Sequence, residues 1–158
     1  MENIEQRIAR IRDDREHGSR WLVGAAITLL ADLASDTTMT PEERMQHLYA
    51  AARALARARP AMAALAGAMA HIMSAAPEGP DAIARQARQV RHRYDHALEE
   101  ITRHARPLLS GTLLTDSVSG TVLDVLAACA SHIEEVTALE GRPRYEGRDM
   151  AKALAQRG

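Results

Sequence analysis

The chain has 158 residues, room for one domain or one and a half on a scale of about 100–200 residues per domain. Hydrophobic residues make up 46% and charged residues 26%, which supplies a core and excludes wholesale disorder. The net charge is −1, from 20 basic and 21 acidic residues, so there is no one-signed field of the kind that drives non-specific nucleic-acid binding.

Aromatic residues are 3% and Phe is absent, so the core is built from Ala, Leu, Ile, Val and seven Met, a palette that favours close-packed helices. Lys152 is the only lysine among the basic residues, and the excess of Arg suits planar, bidentate capture of phosphate or carboxylate. The single cysteine, Cys129, excludes an intramolecular disulfide and a multi-thiolate zinc site. Met1-Glu2-Asn3-Ile4-Glu5 has neither the cationic start nor the apolar run of a signal peptide. Residues 60–77 are the longest stretch without a formal charge, but Ala, Gly and His71 make it too weakly apolar for a membrane span, and it reads as a buried helix. A cytoplasmic protein with no membrane partner is expected.

In chain order, Ile4, Ile8 and Ile11 predict a short amphipathic helix ending near His17-Gly18, with Gly18 at positive φ and Ser19 capping the next helix. That helix carries Trp21, Leu22, Ala25, Leu29 and Leu33 on one broad face. Thr40-Pro41-Glu42-Glu43 is a capping box with Pro at the first helical position, opening a helix that runs to Arg59 before Pro60. Pro60 then opens an Ala-rich helix, Ala61 to Met73. After a loop, Asp81 is expected to cap a long helix through Ile83, Val90, Tyr94, Leu98 and Ile101 that stops near Pro107 and Gly111.

There the pattern changes. Thr112 to Thr115 is a short strand, and residues 116–121 a polar loop. A helix follows with Val122, Leu126 and Cys129 in line. Val136 to Leu139 is a second strand, residues 140–145 a second loop, and Glu146 to Gln156 a last helix. This βαβα order is the grammar of a parallel sheet. The expected fold is α/β but mostly α: a helical domain over residues 1–106, then over 107–158 the first two βα units of a Rossmann-like sheet.

Parallel sheets bind ligands at the carboxyl ends of their strands, where each loop feeds a helix amino terminus suited to phosphate. The first such loop offers Ser117, Ser119, Gly120 and Thr121; the second offers Arg142, Arg144 and Arg148. The alternative is an ordinary capped turn beside solvated arginines. Gly18-Ser19 and Arg59-Pro60 lie at helix starts and share the same logic, or are helix boundaries only. His92 and His96 stand four apart on one helix, but their Arg-rich surroundings repel a cation and no metal site is expected. Cys129 falls on an apolar stripe and reads as an inert buried thiol.

Arg59-Pro60-Ala61 before an Ala-rich helix, Leu114-Thr115-Asp116-Ser117-Val118-Ser119 after a strand, and Glu140-Gly141-Arg142-Pro143 followed by Glu146-Gly147-Arg148 occur in the order of a known family. Together they resemble the initiation factor 2B family, which includes the α, β and δ regulatory subunits of eukaryotic initiation factor 2B, methylthioribose-1-phosphate isomerase and ribose-1,5-bisphosphate isomerase. His17-Gly18-Ser19 resembles that family's Gly-centred motif near the amino terminus. The resemblance implies a helical domain joined to a Rossmann-like domain, with a sugar phosphate or nucleoside monophosphate bound between them and no cofactor. By position, Gly18, Ser19, Arg59, Arg142 and Gly147 would contact ligand, with Ser119 in the phosphate-facing loop.

The isomerases convert an aldose 1-phosphate to a ketose with a Cys thiol and an Asp carboxylate. Ser117, after Asp116, stands where they write Thr-His-Cys, and a serine hydroxyl is a far poorer acid or base near neutrality than a thiol. The chain also stops at Gly158, where the family continues with units that would carry the Asp and most of a dimer interface. The resemblance therefore implies a phosphate-binding, isomerase-like chain that is inactive as it stands, or a regulatory subunit in translation initiation. Either would assemble as a homo-oligomer or with a completing partner chain.

Overall fold

The computed structural model describes residues 3–157. The chain is mostly helical, with one small parallel sheet. It divides into two compact units, one reaching to Asp95 and one starting at His96.

The first unit begins with α1 (Ile4–Asp13), opened by reciprocal bonds between Asn3 and Gln6. It ends before His17 because the Asp14 carboxylate accepts the N–H groups of Glu16 and His17 at 3.0 and 2.8 Å, a local turn that competes with helix. Gly18 then caps α2 (Ser19–Ala34) in an extended conformation, φ −76°, not at the positive φ expected, and Ser19 is the first helical residue rather than the cap. Helix α2 is the centre of the unit. Beyond the predicted face, Ala26, Ile27 and Leu30 are fully buried, whereas Trp21 is 40% exposed. The apolar face is wider than periodicity suggests because α1, α3 (Pro41–Ala58) and α4 (Ala63–Met73) all pack against α2.

Helix α3 starts as expected: the Thr40 hydroxyl accepts the Glu43 N–H at 3.2 Å, and the Glu43 carboxylate accepts the Thr40 N–H at 2.8 Å. Helix α4 starts at Ala63, because Pro60 and Ala61 form a turn closed by the Met62 N–H on the Arg59 carbonyl at 2.9 Å. Helix α5 (Pro80–Ala105) takes Pro80 as its first residue, where a missing N–H costs nothing. The Gly79 carbonyl accepts the first helical bond, from the Ile83 N–H at 3.2 Å. Asp81 therefore lies in the first turn rather than at the cap. Its carboxylate receives Arg44, whose buried guanidinium also donates to the Ala34 carbonyl, at 3.0 and 2.8 Å. One arginine thus ties α3 to the end of α2 and the start of α5.

In the second unit, a short turn at Arg106–Leu108 holds Pro107 and ends α5. Strand β1 (Gly111–Thr115) leads to α6 (Gly120–Ala128), then β2 (Ile133–Ala138) and α7 (Glu146–Ala155). The strands pair in parallel, with Leu113 opposite Val136 and Thr115 opposite Ala138. Strand β2 starts earlier than its apolar run because Glu135 is taken into the pairing opposite Thr112, its side chain on an exposed position. Leu123, Leu126 and Met150 pack with Leu113, Ile133 and Val136 into a separate core. Of the predicted stripe on α6, Leu126 and Cys129 are buried, but Val122 is 38% exposed and Leu123 takes an inward position in its place.

Removing the Leu30 side chain leaves a cavity on the central helix. We expect Leu30→Ala to cost about 2–5 kcal/mol in urea unfolding. Tyr49→Ala, at a half-exposed site, is expected to stay within about 0.5 kcal/mol of the parent.

Candidate functional site

Because β1 and β2 are parallel, the loops that follow them leave the same edge of the sheet, and the Leu139 N–H extends the pairing by donating to the Thr115 carbonyl at 2.9 Å. In the first loop Asp116, Ser117 and Val118 are exposed, and Ser117 adopts the left-handed conformation, φ 56°. Ser119 caps α6: its hydroxyl accepts the Val122 N–H at 3.4 Å and its carbonyl the Leu123 N–H at 2.9 Å. Gly120 and Thr121 are the first helical residues, and their N–H groups have no acceptor within a regular helix. Nothing lies within 4 Å of where a Cβ on Gly120 would stand, so the backbone there is open to close approach.

The second loop is shaped by one close approach. A Cβ on Gly147 would stand 1.8 Å from the Leu139 carbonyl oxygen and 3.0 Å from the Glu140 Cα, so only glycine lets the first turn of α7 lie under the end of β2. The Gly147 N–H donates to the Glu140 carbonyl at 3.0 Å, which pins residue 140 over that turn. Tyr145 precedes α7 in the left-handed conformation, φ 57°, without a side-chain cap.

On this frame three side chains meet. The Glu140 carboxylate receives Arg142 Nε at 3.2 Å on Oε2, and Arg148 Nε and Nη2 at 3.0 and 2.5 Å on Oε1. Both guanidinium groups also lie over the Tyr145 ring, Arg148 at 4.6 Å and Arg142 at 5.6 Å from its centre. Two cations thus share one carboxylate on an aromatic platform beside a helix amino terminus whose first turn also carries Glu146 and Asp149. That combination suits a phosphate. The motif placed Arg142, Gly147 and Arg148 together; the roles of Glu140 as counter-ion and Tyr145 as platform were not legible, because they depend on the backbone turn between them. A cavity of about 300 Å³ in the same unit lies at the opposite end of the strands, lined by Leu126, Ile133, Val136 and Leu154 with Glu134 and Glu135, and lacks arginine.

In the first unit, Gly18 and Ser19 stand exposed at the amino end of α2. Arg59 is engaged locally: its Nε donates to the Ile11 carbonyl at 3.1 Å and its Nη2 to the Asp14 carbonyl, holding the end of α1. The Asp14 carboxylate also receives His17 Nδ1 at 2.8 Å, and the His17 ring stacks on Trp21 at 3.9 Å between centres. The His17 backbone N–H, then the His17 side chain, hold the Asp14 carboxyl below its ordinary range. Among the described residues no group of three or more His, Cys, Asp or Glu is placed to hold a metal.

A helical unit followed by a parallel βαβα unit, with two loops leaving one edge of the small sheet, defines a mostly helical α/β protein. A model of the initiation factor 2 subunit family matches residues 15–158, and the chain belongs to that family. It is similar in fold to the translation initiation factor eIF-2B from Pyrococcus horikoshii, at 20% identity and TM-score 0.79, covering 100% of this chain and 57% of that one. It is also similar to a chain of the tetrameric eIF2B beta–delta complex from C. thermophilum, at 19% identity and TM-score 0.74, covering 98% and 57%. A third likeness is to 5-methylthioribose 1-phosphate isomerase from Pyrococcus horikoshii, at 19% identity and TM-score 0.70, covering 98% and 49%. The chain thus spans about half the length of the structures it resembles. Nothing among curated proteins matches it.

Two outcomes test the geometry. Gly147→Ala should cost more than about 3 kcal/mol and selectively expose α7 and β2 to hydrogen exchange, while Gly120→Ala, at an open position, leaves the fold intact. Since the folded state lowers the Asp14 carboxyl, its contribution is complete above the ordinary carboxylate value of about 4 and is lost as pH falls through the depressed one. Acid unfolding of Asp14→Asn should accordingly be less steep below pH of about 4 than that of the parent.

Proposed function

We propose that this chain binds a phosphorylated sugar or a nucleoside monophosphate and does not turn it over. The observation that carries the reading is the meeting of Arg142 and Arg148 over Tyr145 beside the amino end of α7, on the strand edge that also leads to the Ser119-capped start of α6. Arg142 and Arg148 supply the charge. The Gly120 and Thr121 N–H groups supply main-chain donors, with the Ser119 hydroxyl beside them. Gly147 serves by letting the loop close down, since its own N–H is taken by Glu140. The likeness to an enzyme acting on 5-methylthioribose 1-phosphate supports a sugar phosphate as ligand. No cofactor is needed for such binding, and a cytoplasmic setting fits it.

Ser117 is the reason for binding without turnover. An active relative would be an intramolecular aldose–ketose isomerase, which moves a proton between adjacent carbons, and a serine hydroxyl does this poorly near neutrality. Asp116 beside it adds negative charge that would raise the pKa of a thiol placed at 117, so Ser117→Cys alone should not produce isomerase activity. Titration calorimetry with ribose 1,5-bisphosphate and with adenosine monophosphate, beside a ketose-formation assay, tests the proposal. Binding should weaken about tenfold or more in Arg148→Ala, the loss expected of charge-assisted bonds. Turnover with serine at 117 would overturn the binding-only reading, and absence of binding to either ligand would leave the partner role below.

A second reading, a regulatory subunit that acts through protein contacts, is favoured by the exposed apolar residues of the second unit. Leu108 is 79%, Leu114 68% and Leu139 47% exposed, and Leu114 lies on the sheet face opposite Leu113. Parallel sheets are ordinarily covered on both faces. The likeness to a tetrameric eIF2B complex supports a second copy or a completing chain as the cover. Light scattering after size exclusion should show a species larger than the 17.2 kDa chain, dissociated by Leu114→Lys. A stable monomer with a sharp cooperative melt counts against this reading.

A further inference from the structure

We propose that Glu140 sets the ligand specificity of the loop site: its carboxylate occupies Arg142 and Arg148 until a phosphate displaces it, and then selects phosphate esters that carry hydroxyl groups. This rests on the phosphate-binding reading above and goes beyond it, because it assigns the discrimination to an acidic residue.

Each Glu140 oxygen is already committed to one arginine, Oε1 to the fork of Arg148 and Oε2 to Arg142. A phosphate therefore competes with an intramolecular anion for the same donors, as one carboxylate cannot be left among them unpaired when a dianion arrives. The Tyr145 ring keeps both guanidinium groups near their positions during the exchange, so the displacement is a change of partner rather than a rebuilding of the loop.

The displaced carboxylate cannot move far. The Glu140 backbone is pinned by the Gly147 N–H at 3.0 Å, and with residue 147 packed directly under the Leu139 carbonyl the loop cannot lift without losing that bond. The carboxylate must stay within side-chain reach of a doubly charged ligand, where water and any hydrogen-bond donors on the ligand stabilise it. Sugar hydroxyls are such donors; a simple phosphate ester without hydroxyls has none to offer. Glu140 thus penalises every phosphate and returns part of the penalty to a sugar phosphate, which is selection by a repulsive element together with an attractive one.

The test is calorimetry on the whole 158-residue chain with two monoesters of like charge, methyl phosphate and ribose 5-phosphate, at low salt. The parent should prefer ribose 5-phosphate. Glu140→Gln and Glu140→Ala should each bind methyl phosphate about three- to tenfold more tightly, the effect of removing one nearby like charge. In Glu140→Ala, which lacks any acceptor, the preference for the ribose ester should collapse towards unity. Unchanged or weaker methyl phosphate binding in both variants overturns the role of Glu140 while leaving phosphate binding standing. Failure of the parent and both variants to bind either ester overturns the phosphate reading itself, and the role of Glu140 with it.

Discussion

The approach of the Leu139–Glu140 backbone to Gly147 leaves no space for a side chain, and much of the second unit's chemistry follows from it. Strand β2 can end directly over the first turn of α7 only because residue 147 lacks a Cβ. That packing brings the Glu140 carbonyl onto the Gly147 N–H and sets the carboxylate of residue 140 in front of Arg148, in the first turn of the helix. The loop between must then fold back tightly, which it does through positive φ at Gly141 and Tyr145. The arginines, the aromatic ring and the helix terminus meet as a consequence of one close backbone approach.

The parallel pairing of β1 with β2 adds the second half of the arrangement. Parallel strands start from one edge and finish at the other, so Thr115 and Ala138 deliver both loops to the same side. The two loops offer different things. The first presents hydroxyls and open backbone at Ser117 to Thr121, with its helix end already capped by Ser119. The second presents arginines and carboxylates at a helix end that has no side-chain cap.

The helical unit solves a different problem. With no Phe and few other aromatics, its core depends on how many helices surround α2 rather than on large side chains. Polar anchors then hold the helix ends: Arg44 on the Ala34 carbonyl and Asp81, Arg59 on the carbonyls that finish α1, and Asp14 on the turn that follows. Arginine suits these places because one planar group reaches two acceptors at once.

Features set by neighbours in sequence could be read from the sequence itself. The Thr40–Glu43 capping box, the stop of α5 at Pro107, the strand at Thr112 to Thr115 and the order βαβα all depend on bonds or steric limits spanning a few residues. So did the motif residues that mark the family. What depends on partners far along the chain was decided by tertiary structure. Periodicity showed a face on α2, but three surrounding helices buried more than that face; it aligned Val122 with Leu126, but packing on β1 and β2 chose Leu123 instead. Gly18 was expected at positive φ and stands extended because Asp14 ends α1 early, leaving a connecting stretch that needs no left-handed residue. Glu140, Tyr145, Arg142 and Arg148 are visible as letters within nine positions, yet their meeting requires the close approach at Gly147. A close approach is a distance between backbones, and hydrophobic pattern and local propensity carry no information about it.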